Sequence, residues 1–385
     1  MSLENKDNQG ENNMKMLTGI LLSIACALVQ AEQRPAQDKI VIGQSVELSG
    51  EATGKENMEG ALAYFAWVNA QGGIYGRKIE LKSYDDKRKP ETTRLNTEKL
   101  LKEDNALALF GYRSTPTVEA VLPLLLSEKV PLVAPFSGGQ SLHQPFNPYL
   151  FNLRASYQAE TAKMIELFGS LGIRKVAILY QDDSFGKDGL AGFQRNLAAH
   201  KLSPLLIASY DRKDLKVEQA VSAIAAANPQ AVLMACTPSA CADFVKQMHK
   251  KGAHPTFMML SNVSSETFFE SLGDDGRGVS VMQVMPYPKD FAAPATREFQ
   301  SVLKSMAKPP PASYSAFEGF VAAKLLTEGL RRAGPNPTRP KLIAALETIR
   351  DYDLGGVRVS YSPDNHDGST FVEMIMVGKR GAILH

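Results

Sequence analysis

The residues best suited to chemistry in this sequence are hydroxyls and aromatics in short loops that follow apolar runs. Ser49 and Thr53 follow Ile40 to Val46, and Tyr112, Arg113, Ser114 and Thr115 follow Ala106 to Phe110. Phe136, Ser137 and Gly138 follow Val130 to Ala134, and Asp182, Asp183 and Phe185 follow Lys175 to Tyr180. Hydroxyls beside the unpaired amides of a helix start hold carboxylates and other small anions, while aromatic rings cover the apolar remainder of a ligand. That is the chemistry of binding. Each residue also has a plainer use: Ser49, Ser114 and Thr115 as helix caps, Phe136 and Phe185 as core, and Asp182 or Asp183 as a cap or turn residue.

Catalytic signatures are missing from the sequence. It has no nucleophile-elbow serine, no G-x-x-x-x-G-K-S/T phosphate loop, no H-E-x-x-H and no strand-linked G-x-G-x-x-G; Gly273 to Gly278 has the wrong order and context. His249 and His254 flank a Lys-Lys-Gly turn, which suits a solvated surface better than a metal. A binding protein rather than an enzyme is expected, with no cofactor and no metal. The formal net charge is +2 with basic residues dispersed, so no nucleic-acid footprint is visible. Cys236 and Cys241 leave two readings open, a disulfide or a pair of buried thiols, because their separation at a strand-to-helix turn does not guarantee the Cα spacing a disulfide needs.

The loops must be carried by an alternation of strands and helices. Ile40 to Val46 reads as a strand, Met58, Leu62, Phe65 and Asn69 as one face of a helix, and Gly72-Gly73 as its stop; a second strand runs through Ile79 and Leu81. Such a βαβ unit, repeated, builds an open α/β domain whose binding edge lies at the strand C-termini, which places the loop 49–54 and its later counterparts on one edge. The rhythm continues with helices over 91–103 and 117–127 and strands over 106–110 and 130–134. It restarts near Phe151, with strands over 175–180, 205–210, 231–236, 257–260 and 279–284 and helices over 189–200, 217–227 and 240–250. Pro286-Tyr287-Pro288 reads as a crossover. Helices over 295–306, 316–333 and 339–350 follow, then strands over 358–361 and 371–377. The 385 residues, 44% apolar, suit two lobes: 38–153 plus 287–353, and 154–286 plus 354–385.

Residues 1–31 read as a signal peptide with an upstream extension before Met14. Lys15 supplies the basic start, Leu17 to Val29 the apolar run, and Val29-Gln30-Ala31 the cleavage site, so the mature chain is expected to begin near Glu32 in the periplasm. The run is shorter than the roughly 20 residues of a membrane span. An uncleaved anchor and lipoprotein attachment at Cys26 are the alternatives.

Several stretches together resemble type I periplasmic solute-binding proteins of the leucine/isoleucine/valine-binding family: "LSG" at 48–50, "NAQGGIYGRKIEL" at 69–81, "YDD" at 84–86, "VPLVAPFSG" at 130–138, "FNLRASY" at 151–157, "YQDDSFGKDG" at 180–189 and "SPDNHDGS" at 362–369. The resemblance implies an α/β fold of two Rossmann-like lobes joined by a three-segment hinge. It also implies a monomer that closes on a small-molecule ligand and delivers it to an inner-membrane ABC permease. In amino-acid-binding members the places of Ser114, Thr115, Ser137 and Gly138 hold the α-carboxylate, and here Gly138 replaces the usual second Thr. Where those members present an acid to the ammonium, this sequence has Ser261-Asn262, and Thr237 stands where a Tyr is frequent. Phe136 and Arg113 add bulk and charge. The expected ligand is therefore a small carboxylate, an anion with an apolar or aromatic body; the rival is an amino acid whose ammonium meets Asp183 or backbone carbonyls. A ligand-sensing module reporting to a membrane receptor is the alternative function.

Overall fold

The computed structural model describes residues Lys39–Leu384. The expected signal peptide and Cys26 lie outside the described residues. Among the described residues, no helix is long and apolar enough to cross a membrane.

Two sheets organise the chain. The first contains β1 (Lys39–Val46), β2 (Lys78–Asp85), β3 (Ala108–Phe110), β4 (Leu132–Val133) and β5 (Leu150–Phe151), all parallel, in the order β2-β1-β3-β4-β5. The second contains β6 (Val176–Gln181), β7 (Pro204–Tyr210), β8 (Ala231–Ala235), β9 (Thr256–Met259) and β10 (Ser280–Gln283) in parallel. A separate two-stranded ribbon pairs β11 (Tyr352–Asp353) with β12 (Arg358–Val359). The chain then returns to the second sheet, where β13 (Glu373–Val377) lies antiparallel to β10 and β14 (Ile383–Leu384) antiparallel to β13. Every residue of β8 is buried, as expected for a parallel strand covered by helices on both faces. The architecture is that of the type I periplasmic-binding-protein fold.

Several local readings are corrected by packing. The helix Ala52–Ala70 starts before Thr53, so Thr53 and Gly54 belong to its first turn rather than to the loop. Its buried face is carried by Ala61, Tyr64, Phe65 and Val68, and Leu62 is exposed. The cause is a second contact, with the helix Tyr314–Ala333. Gly60 lies against the Ala316 carbonyl and Gly319 against the Asn57 carbonyl, approaches so close that a Cβ at either position would collide with backbone.

The helix expected over 117–127 is two short ones, Thr115–Glu119 and Leu122–Glu128, each with a proline in its first turn. The helix expected over 189–200 begins at Ser184, because the Asp183 carboxylate accepts from the Gly186 amide at 3.0 Å and caps it. The helices Tyr157–Glu166 and Glu266–Leu272 and the strand β5 are additional to the elements expected from the sequence. Cys236 and Cys241 form a disulfide, their Cα atoms 5.6 Å apart across the turn from β8 into the helix Pro238–Lys250. The helical turn brings the two residues within disulfide range, which resolves the open pair of readings.

Candidate functional site

A cavity opens between the C-terminal ends of the two sheets, where the crevice of an open parallel α/β structure takes its ligands. From the side of the first sheet it is lined by Arg88, Arg113, Ser114 and Phe136, which follow β2, β3 and β4. Gln181, Phe185, Thr237 and Asn262, which end or follow β6, β8 and β9, line it from the second sheet, and Tyr157 completes it. Its central free volume is about 20 Å³, room for one or two waters.

The first-sheet wall is held by sheet geometry and by strained backbone. An isolated parallel bridge pairs Arg113 with Phe136, extending the β3–β4 pairing into the two loops. Arg113 is buried, and its Nη1 lies 2.7 Å from Glu47 Oε2. Arg88 shares the same carboxylate oxygen at a longer 3.9 Å. Ser114 has φ 80°, a region L-residues rarely occupy, and makes no side-chain capping bond, so the cap reading does not describe it.

Aromatic groups form the base. Tyr157 packs edge-on against Phe185 with ring centroids 5.3 Å apart, and the Arg154 guanidinium lies over Phe136 at 5.0 Å and over Tyr157 at 5.6 Å. Burial pushes the Tyr157 phenol up to about 12, so it is a neutral donor at ordinary pH.

The other expected residues are placed around this cavity rather than on its surface. Thr115 Oγ1 and Ser137 Oγ are 2.8 Å apart, and the Gly138 carbonyl accepts from the Tyr157 amide at 2.7 Å. Ser137 and Gly138 thus bond to Tyr157, and Thr115 reaches it only through Ser137. Ser49 is exposed and donates to Asp85 at 2.5 Å; Thr53 is buried in the first helical turn.

Asp183 caps its helix and pairs with Arg212 Nη1 at 2.6 Å, which leaves it committed rather than available to an ammonium group. Ser261 donates to Glu160 at 2.8 Å and accepts from Arg154. It belongs to a buried cluster of Arg154, Glu160 and Glu318 that stands behind Phe136, with Arg154–Glu160 at 3.4 Å and Arg154–Glu318 at 3.6 Å. Burial raises both carboxyls, Glu318 to about 7.

Of the expected contacts, the structure gathers Arg113, Ser114, Phe136, Phe185 and Thr237 on the cavity wall. The sequence reading missed Arg88, Tyr157, Gln181 and Asn262 as lining residues. Arg88 and Gln181 were open to discovery by position alone, since one ends β6 and the other stands three residues beyond β2. Tyr157 closes the "FNLRASY" stretch but opens a helix that the sequence pattern does not predict, so its place on the wall has no positional signal.

Polar bonds cross between the two sheets' elements. Ser239 donates from its amide and hydroxyl to Glu51 Oε1 at 3.1 and 2.7 Å, Ser184 donates to Glu119 at 2.6 Å, and Arg212 Nη2 donates to the Arg88 carbonyl at 2.5 Å.

A two-sheet α/β fold with a polar and aromatic crevice at facing strand ends defines a solute-binding class of protein. The family model of the periplasmic binding proteins matches residues 39–382, and the chain belongs to that family. A substrate-binding periplasmic protein from Ralstonia solanacearum is 37% identical, with a TM-score of 0.85 over 90% of this chain and 99% of that one. The Leu/Ile/Val-binding protein homolog 3 of Brucella melitensis biotype 1 is 22% identical over 91% of this chain and 93% of its own length. A branched-chain amino acid ABC transporter structure from Thermus thermophilus with bound valine shares the fold at a TM-score of 0.82 and 16% identity, covering 90% of this chain and 94% of that one.

Proposed function

We propose that this protein captures a small carboxylate-bearing ligand, an amino acid or a related organic or aromatic acid, and delivers it to an inner-membrane ABC permease. The observation that carries the reading is the composition of the cavity wall: two guanidiniums, several neutral hydrogen-bonding groups and aromatic faces, and no carboxylate among the lining residues. Arginine forks suit a carboxylate, and Phe136, Phe185 and Tyr157 suit an apolar or flat body. With Asp183 paired to Arg212, an ammonium group has no acid waiting for it on the wall, so an acid without an amino group is the favoured ligand. Delivery to a permease is drawn from membership of the periplasmic binding proteins, with the Thermus thermophilus neighbour, a branched-chain amino acid ABC transporter, sharing the fold.

In this reading the lobes are 38–153 plus 287–353 and 154–286 plus 354–385, a monomer hinged at its crossovers. With a central free volume of about 20 Å³, an acid reaches the cavity only if its walls part, and the cross-sheet bonds of Ser239, Ser184 and Arg212 then act as the clasp. A thermal-shift screen over aromatic acids, aliphatic acids, dicarboxylates and amino acids tests the proposal. A ligand at 100 times its Kd adds about 2.7 kcal/mol to stability, which the screen detects. A screen in which amines raise the melting temperature and no carboxylate does would overturn it.

A further inference from the structure

We infer that Arg88, rather than the more deeply buried Arg113, is the cation that reads the ligand's carboxylate. The inference rests on the carboxylate reading of the cavity and names the residue responsible for it. Both guanidiniums line the cavity, and one carboxylate, Glu47, stands between them. Glu47 Oε2 is 2.7 Å from Arg113 and 3.9 Å from Arg88, so the close, charge-assisted bond belongs to Arg113. What Arg88 has besides is a long contact, 3.5 Å, from Nη2 to Gln181 Oε1. Arg113 is thus buried and held in a close ion pair, whereas the side-chain contacts of the half-buried Arg88 are long ones that an incoming anion can replace.

The backbone beneath Arg88 is held for this purpose. Lys87 and Arg88 stand consecutively at φ 52° and 58°, left-handed conformations that β-strand ends do not adopt without support. Asp85 accepts from the Lys87 amide at 3.0 Å and Asp86 from the Arg88 amide at 2.9 Å. Asp86 is itself buried and accepts from Thr93 and Ser45. The "YDD" stretch is thus a bracket that turns the chain sharply after β2 and aims Arg88 at the crevice. The Arg88 carbonyl, on the same residue, accepts from Arg212 across the cleft. Ligand recognition and contact between the two sides therefore meet at one residue.

The test uses matched acid and amide pairs, which differ in charge and little in shape: benzoate and benzamide, phenylacetate and phenylacetamide, L-leucine and L-leucinamide. Calorimetry on the wild-type protein is expected to show at least one acid preferred over its amide by roughly 10–100-fold, the range of a hydrogen bond to a charged group. In Arg88→Gln that preference should fall to within about threefold, and in Arg88→Lys, which keeps the charge without the fork, part of it should persist. If Arg88→Gln and Arg88→Lys both keep the full preference, Arg88 is not the reader and the inference fails while the carboxylate reading stands. If the wild type prefers no acid over its amide, both fall together.

Discussion

The cavity wall and the cluster behind Phe136 are built from the same residue types with opposite imbalances. On the wall, Arg88 and Arg113 share one carboxylate, Glu47; in the cluster, one guanidinium, Arg154, faces two carboxyls, Glu160 and Glu318. A surplus of buried carboxylate relieves itself by taking up a proton, and burial has raised Glu318 to about 7 accordingly. A surplus of guanidinium has no such exit, because arginine stays charged at any physiological pH. Under the proposed function that surplus is met by the anionic group of the ligand. Arg154 is enclosed by its carboxyls and aromatic faces, whereas Arg88, only half-buried, keeps access to the cavity.

The largest effect expected from this difference is on stability. Arg154→Met removes the cation from between two buried carboxyls and from the faces of Phe136 and Tyr157, and it should cost about 3–5 kcal/mol in urea denaturation. A loss below about 1 kcal/mol would mean that the cluster is not held by its charge. A smaller effect, and one that depends on pH, is expected at Glu318. Its folded value lies above its ordinary one, so its contribution to stability is fully present below about pH 4.5 and is lost as pH rises through about 7. Glu318→Gln mimics the protonated form. It should match the wild type near pH 4.5 and exceed it by up to about 3 kcal/mol at pH 8. An equal melting temperature for the two proteins at both pH values would refute the imbalance in the cluster. Glu318 does not line the cavity, and Glu318→Gln should leave the affinity for acids within about twofold.

Much of this architecture was legible in the chain, and the parts that were not share a cause. The strands β1 to β4, β6 to β10 and β13 and the stop at Gly72-Gly73 declare themselves in local pattern, while the two-residue strands β5 and β14 do not. The face of the helix Ala52–Ala70 did not, because Gly60 and Asn57 are buried by the helix Tyr314–Ala333, which arrives from the other end of the sequence. The alternation of strands and helices alone puts the loops after β3 and β4 on one sheet edge. Which of their hydroxyls reach the cavity was not, since Thr115 and Ser137 bond to each other and the choice between facing a ligand and facing a neighbour is made by tertiary contact. Arg113 stood out by its charge next to Ser114, but its claim on the ligand is weakened by Glu47, a residue whose pairing only the fold creates. Arg88 lies in the basic stretch Lys87-Arg88-Lys89, whose residue types alone give no sign that one of them enters a cavity.

The proposed function requires the crevice between the two sheets to open and close around an acid. Small-angle scattering on one preparation, with and without the acid that gives the largest thermal shift, tests it most directly. The free protein should have the larger radius of gyration and the saturated protein the smaller, because contacts from both sides to one ligand favour the state in which those sides approach. A radius unchanged at saturation, with binding verified in the same sample, would contradict the account.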